Sequence, residues 1–232
     1  MTLLKQNISL LVSVKDQIEI KKITKYVDII DLKNPDDGPL GSLEYEDIKK
    51  IIEKNNNKKC MSATIGNIEN NIMILNKLKL FDQLGLDYLK IGIFNDSISK
   101  IEDLLHSINN FNLRTKLVAV FFAENKNSIN YLYNNMNNFS LSKFQFLLID
   151  TLNKSSEGLM DIYSSIFLES LVLRAKEKFL NIGLAGKIKT KEIPALIKIR
   201  PSLIGLRSAV CEKFSRKNSI SESLIQEFRS SF

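Results

Sequence analysis

The sequence predicts a closed (β/α)8 barrel, the TIM barrel, formed as a single domain over residues 1–232. Three observations lead there. Eight short runs rich in Ile, Leu and Val show little polar alternation, as expected of parallel strands covered on both faces. Segments with apolar residues at i, i+3 and i+4 fill the gaps between those runs. The length of 232 residues suits such a barrel, which commonly runs to about 250, and no linker, composition break or internal repeat divides it. An open doubly wound sheet is the competing arrangement.

Taken in order, Ser9–Val14 leads into a helix over Lys15–Tyr26, where Ile18, Ile23 and Tyr26 stand among charges. Asp28–Lys33 precedes Tyr45–Lys54, which carries Ile48, Ile51 and Ile52 on one stripe. Lys59–Thr64 is followed by Asn70–Leu84, with Ile72, Leu75, Leu78 and Leu84 spaced for a helix. Tyr88–Ile93 is followed by Ser97–Asn110, with Ile98, Ile101, Leu104, Leu105 and Ile108. Lys116–Phe122 precedes a shorter, Asn-rich helix over Ser128–Asn138, and Phe144–Thr151 a long amphipathic helix over Gly158–Lys178. Leu180–Gly186 and Leu203–Ala209 complete the strands, with helices over Thr190–Ile199 and Ser221–Phe228.

Composition narrows the function. The net charge of +7 favours anionic partners: nucleic acid, an acidic membrane surface or phosphorylated metabolites. The lysines are dispersed among Asp and Glu, with no basic stripe interleaved with aromatics, so nucleic acid is not expected. No apolar run approaches the ~20 residues that span a bilayer, and Met1–Val14 lacks the pattern of a secretory leader. A cytoplasmic, reduced setting fits the two distant cysteines, Cys60 and Cys211. With no CxxC and a single histidine, His106, no metal site is expected. The long helix over Gly158–Lys178 offers an apolar surface for association into a homo-oligomer.

The informative residues are charges at strand ends, because the C-terminal rim carries the active site in essentially all characterised barrels of this kind. Asp31 and Lys33 are two apart in Asp28-Ile29-Ile30-Asp31-Leu32-Lys33 and share the inward face, leaving Ile30 and Leu32 to face the helices. Lys90 interrupts the apolar run Tyr88-Leu89-Lys90-Ile91-Gly92. Asp150 ends the sixth strand and Lys154 follows in its loop. One reading is a buried ion-pair network that only holds the barrel. The other is a catalytic cluster, since ionisable groups gathered in a cleft are functional candidates. An amine attacks a carbonyl only when unprotonated, and partial burial or a nearby cation favours that form. Were Lys90 or Lys154 to approach Lys33, one of the three would be driven toward the neutral amine, with Asp31 and Asp150 orienting amines and shuttling protons. That is a Schiff-base site in outline.

The loops after strands 7 and 8 are the usual phosphate site of such barrels. Here they read Gly183-Leu184-Ala185-Gly186-Lys187 and Gly205-Leu206-Arg207-Ser208. Gly186 and Gly205 let the backbone come close to an anion, and Arg207 and Ser208 add charged and hydroxyl donors. Gly38–Ser42 and Ser62–Gly66 are expected to line the mouth.

Together these motifs resemble the (5-formylfuran-3-yl)methyl phosphate synthase family, also called 4-(hydroxymethyl)-2-furancarboxaldehyde-phosphate synthase. The matching stretches are Leu11-Val12-Ser13, Asp28 to Pro35, Gly38 to Gly41, Ser62-Ala63-Thr64-Ile65-Gly66, Asp87 to Gly92, Asp150-Thr151 with Lys154, Leu184-Ala185-Gly186 and Gly205-Leu206-Arg207. The resemblance implies a carbon–oxygen lyase that condenses two glyceraldehyde 3-phosphates into a furan aldehyde phosphate. Phosphate and water are lost, and the product serves methanofuran-type cofactor synthesis in methanogens and methylotrophic bacteria. It implies that Lys33 is the Schiff-base lysine, that Lys90 transfers protons, and that Asp31, Asp150 and Lys154 complete the active site, with no metal or organic cofactor. The chain departs from the family pattern at Glu124, where an Asp is expected, and at Lys187 and Ser208, where Ser and Gly are commoner. Two other readings stay open: a different class I aldolase or isomerase acting on a sugar phosphate, and a non-enzymatic polyanion binder.

Overall fold

A computed structural model describes residues 8–55, 59–153 and 157–232. Eight parallel strands follow one another around a closed barrel: β1 (Ser9–Val14), β2 (Ile29–Leu32), β3 (Cys60–Thr64), β4 (Tyr88–Ile93), β5 (Lys116–Phe122), β6 (Phe144–Asp150), β7 (Asn181–Leu184) and β8 (Leu203–Leu206). Closure is made by β1 and β8, with Leu11 opposite Gly205. The predicted barrel is therefore the fold. Strands 2, 6, 7 and 8 end one to three residues earlier than the predicted runs do.

The helices that cover the barrel are α1 (Gln17–Ile23), α2 (Tyr45–Asn55), α3 (Asn71–Phe81), α4 (Ile98–Asn109), α5 (Lys126–Asn134), α6 (Met136–Ser140), α7 (Leu159–Ile162), α8 (Ser165–Glu177), α9 (Ile193–Ile199) and α10 (Glu222–Ser230). Two expected helices are divided. Over 158–178, Tyr163 is extended (ψ 139°), and Ser164 starts a new helix by accepting the Phe167 N–H at 3.2 Å. The Asn-rich helix is divided at Asn135, whose side-chain amide bonds the Tyr131 carbonyl at 3.1 Å and draws the chain out of register. Among the described residues, no helix is long and apolar enough to cross a membrane.

Strand parity makes two apolar layers. Leu10, Val12, Ile30, Leu32, Leu89 and Ile91 face outward and join the core between barrel and helices. Leu11, Val118, Val120, Phe122, Leu148 and Leu203 face inward and fill the barrel itself. Leu40, from the loop after β2, belongs to the inner group, and Phe94 stacks on Phe122 with centroids 4.8 Å apart. These side chains close the β3–β5 side of the barrel's upper end. Of the loop Gly38–Ser42, expected to line the mouth, Leu40 packs onto this inner group and the Gly38 carbonyl meets Arg216 of the cavity wall.

Candidate active site at the C-terminal rim

At inward parity, polar residues enter the barrel from β1, β2, β3 and β4, and from the end of β6. Asp31, wholly buried, sits laterally between Ser13 on β1 and Ser62 on β3, its register partners. Ser13 Oγ donates to Asp31 Oδ2 and Ser62 Oγ to Oδ1, each at 2.7 Å. Lys90 stands on β4 two residues beyond Tyr88, the partner of Ser62, and its Nζ reaches Asp31 Oδ2 at 2.5 Å. Three donors from three strands thus satisfy a carboxylate that would otherwise be costly to bury.

Lys33 continues the inward parity one step above Asp31. Its backbone N–H extends the β1–β2 ladder to the Val14 carbonyl at 2.9 Å, which fixes where its side chain starts. Its Nζ is 4.0 Å from Asp150 Oδ2 at the end of β6. The other Asp150 oxygen accepts the Thr151 N–H at 2.7 Å. Lys33 is 6% and Lys90 3% exposed. Both amines, with Asp150, line a single cavity of about 340 Å³. The structure therefore brings Lys33, Lys90, Asp31 and Asp150 to one rim, the C-terminal one; Lys154 lies outside the described residues.

The rest of the cavity wall comes from the loops after β7 and β8. Gly186, Gly205, Arg207 and Ser208 all line it, as does Lys187. Gly186 has φ +100°, and a Cβ there would stand 2.8 Å from Thr151 Cγ2 and 2.9 Å from its nitrogen, so only glycine fits. Five basic residues, Lys33, Lys90, Lys187, Arg207 and Arg216, face one carboxylate, Asp150, in the described wall. Such a wall carries an excess of positive charge.

Arg207 enters that wall differently from the sequence expectation. All five of its guanidinium N–H groups are engaged: two with Glu19, at 2.5 and 3.1 Å, and three with the carbonyls of Ser13, Arg216 and Asn218. Its side chain ties β8 to β1 and α1 and has no donor left for a phosphate. Glu19, buried, also takes the Lys15 N–H at 2.9 Å. The departure at Glu124 is structural as well: its carboxylate accepts the backbone N–H groups of Leu152 and Asn153 at 2.8 and 2.9 Å, holding the loop after β6.

Sequence reasoning placed Ser13 and Ser62 only in motifs, Ser62 in a stretch expected to line the mouth, and assigned no role to Glu19 or Arg216. The serines were detectable as small polar residues at inward parity in otherwise apolar strands. Glu19 and Arg216 carry no comparable signal, because their positions depend on how α1 and the segment after β8 fold back onto the rim.

Known proteins resemble this chain in sequence and in fold. The (5-formylfuran-3-yl)methyl phosphate synthase of Methanocaldococcus jannaschii is 27% identical over 95% of this chain and 97% of its own length. The enzyme of the same name from Methanococcus maripaludis is 28% identical over 94% and 96%. In fold, the chain is similar to 3-hexulose-6-phosphate synthase from Salmonella typhimurium (TM-score 0.65, 15% identity, 97% of this chain and 98% of that one). It is likewise similar to phosphoribosyl anthranilate isomerase from Thermus thermophilus (TM-score 0.62, 12% identity, 97% and 98%). The sequence profile described as 4-HFC-P synthase matches residues 10–229, nearly the whole length, and the chain belongs to that family.

Proposed function

We propose that this protein condenses two molecules of glyceraldehyde 3-phosphate into (5-formylfuran-3-yl)methyl phosphate, with loss of phosphate and water, through a Schiff base on Lys33. One observation carries the reading: two buried lysines from adjacent parts of the rim, each beside a carboxylate, open into one cavity whose wall is dominated by cations. A phosphorylated aldehyde is the small molecule that uses both features, its carbonyl meeting an amine and its phosphate the basic wall.

The chemistry follows from the residues. Attack of the Lys33 amine on the aldehyde expels water and leaves an iminium, which acidifies the adjacent C–H and acts as an electron sink. The Lys90–Asp31 pair moves the proton, with Asp150 at the opposite wall as the second proton carrier. Elimination of phosphate from one triose, aldol-type bonding to the second, dehydration with ring closure, and hydrolysis of the carbon–nitrogen bond, which frees Lys33, then give the furan. The product's place is in methanofuran-type cofactor synthesis, and no metal or organic cofactor is needed for these steps.

The test is borohydride reduction in the presence of glyceraldehyde 3-phosphate, followed by peptide mass mapping. We expect one reduced adduct, on Lys33, absent from Lys33→Ala. An adduct confined to Lys90 or Lys154 would reassign the nucleophile, and no adduct at all would end the Schiff-base reading. A product mass other than that of the furan aldehyde phosphate would point instead to a class I aldolase or isomerase on another sugar phosphate.

A further inference from the structure

The rim carries two arginines, and they differ in what they have left to give. Arg207 uses every donor on Glu19 and backbone carbonyls. Arg216 lies in the segment 211–220, whose ends meet in the antiparallel bridge between Cys211 and Ile220. Two left-handed residues, Lys213 (φ 54°) and Phe214 (φ 53°), turn that segment so that Ser215 and Arg216 reach the cavity wall. From there Arg216 Nη2 donates to the Gly38 carbonyl at 2.9 Å. Its Nε is buried and has no hydrogen-bond partner among the described residues.

A buried N–H without an acceptor costs as much as a typical hydrogen bond contributes, or more, and native structures rarely keep one. An acceptor that arrives with the ligand removes that cost. Burial also pushes the Arg216 pKa below the usual arginine range, while the carboxylate of Asp150 acts in the opposite sense. The guanidinium is thus desolvated and placed within the electrostatic reach of a residue at the candidate reaction centre. Gly186, Lys187 and Ser208 share the same wall.

We propose that Arg216 is the side-chain anchor for a phosphate monoester in this cavity, its guanidinium turning from the buried resting position so that Nε–H donates to a phosphate oxygen beside Gly186, Lys187 and Ser208. This deepens the functional reading above only in naming what holds the substrate's phosphate; the anion contact itself requires no particular carbon chemistry. It also has a mechanical consequence. The loop that Arg216 holds through Gly38 starts directly after Lys33 and is closed by the Asn34 N–H to Gly41 carbonyl bond at 2.9 Å. An anion fixed on Arg216 therefore bears on the loop that follows the candidate nucleophile.

The experiment uses inorganic phosphate as probe, titrated calorimetrically into the wild-type chain, Arg216→Met and Arg216→Lys. We expect Arg216→Met to bind phosphate about ten- to a hundredfold more weakly, the loss set by one or two charge-assisted hydrogen bonds, and Arg216→Lys to fall in between. A second readout needs only folded wild type: in the nitrogen-15 NMR spectrum, the arginine Nε–H resonance missing from Arg216→Lys should shift on phosphate addition. Equal affinity in wild type and Arg216→Met, no binding to wild type, or an unmoved Arg216 resonance at saturation would each overturn the proposal. Failure here is separable from failure of the Schiff base, which is read by borohydride trapping on Lys33 and not by phosphate affinity.

Discussion

Replacing Glu19 by Leu should destabilise the barrel far more than its place on a short helix suggests. The carboxylate is buried and pairs twice with the Arg207 guanidinium, which is itself largely buried. Removing one partner of such a pair leaves an uncompensated buried charge and costs about 3–5 kcal/mol. Unfolding entropy near the midpoint is about 2.1 cal/mol/K per residue, hence about 0.5 kcal/mol/K for 232 residues, so each kcal/mol moves Tm by about 2 °C. The expected fall is therefore about 6–10 °C, measured by scanning calorimetry with the calorimetric and van't Hoff enthalpies compared as a two-state check. The double variant Glu19→Leu/Arg207→Met removes the stranded charge, though it leaves the carbonyls of Ser13, Arg216 and Asn218 short of a donor. It should lose clearly less than the sum of the single losses, because the two residues share one interaction. A fall below about 2 °C for Glu19→Leu, or strictly additive losses, would refute the assignment of Arg207 to scaffolding.

Three further outcomes follow from the same geometry. Lys90→Ala should lower kcat at least about a hundredfold while KM changes little, since it removes a proton carrier and not a binding contact; unchanged turnover in a progress-curve assay would take it out of the mechanism. Gly186→Ala, forced to φ +100° with its Cβ against Thr151, should lose about 1–3 kcal/mol, seen as a lower urea midpoint at constant slope; wild-type stability would mean that the loop opens at no cost. Burial pushes the Cys211 thiol up to about 11, and burial with the Asp87 carboxylate pushes Cys60 up to about 12. A raised pKa favours the protonated thiol. At pH 8 the thiolate fraction is then on the order of one in a thousand or less, and an aromatic disulfide reagent should label the folded protein slowly, the rate climbing only as pH approaches those values. Rapid stoichiometric labelling of the native chain at pH 8 would contradict this.

The barrel is legible in the sequence because its signal is redundant: each of eight apolar runs repeats the same pattern, and β1, β4 and β5 occupy the predicted residues. The helix over 158–178 misleads because the i+4 spacing of Leu159, Tyr163, Phe167 and Leu171 continues across Tyr163–Ser164, while the break is made by a single serine cap. Asp31, Lys33 and Lys90 are legible from strand parity, since a charge placed at inward parity must find a partner inside the barrel or face its open mouth. Arg207 is legible in place but not in role. Its sequence context, Gly-x-Arg-Ser after β8, marks it as a rim residue, but nothing local says that Glu19, 188 positions away, meets its guanidinium. Arg216 shows the same limit from the other side, because its location depends on left-handed turns at two residues with no sequence preference for them.

Which lysine bonds to carbon can be argued from geometry apart from any motif. Asp31 is held by Ser13 and Ser62 from both flanking strands, so it cannot follow a moving partner. Lys90 donates to that fixed carboxylate at 2.5 Å. To form an iminium, its nitrogen would have to leave Asp31 and strand a buried charge, which is expensive. As a proton carrier it keeps the contact, and the fixed carboxylate becomes an advantage, because acid–base catalysis rewards a donor and acceptor whose positions do not change. Lys33 stands one inward step higher on β2, where the side chain opens into the cavity that also holds Asp150 and the basic wall. Under the proposed reaction, a substrate anchored by its phosphate on that wall would present its carbonyl to Lys33 from the open side, with Lys90 approaching from within the barrel. The proposed division between nucleophile and proton carrier then rests on the two serines that immobilise Asp31, and replacing both by alanine should blur it.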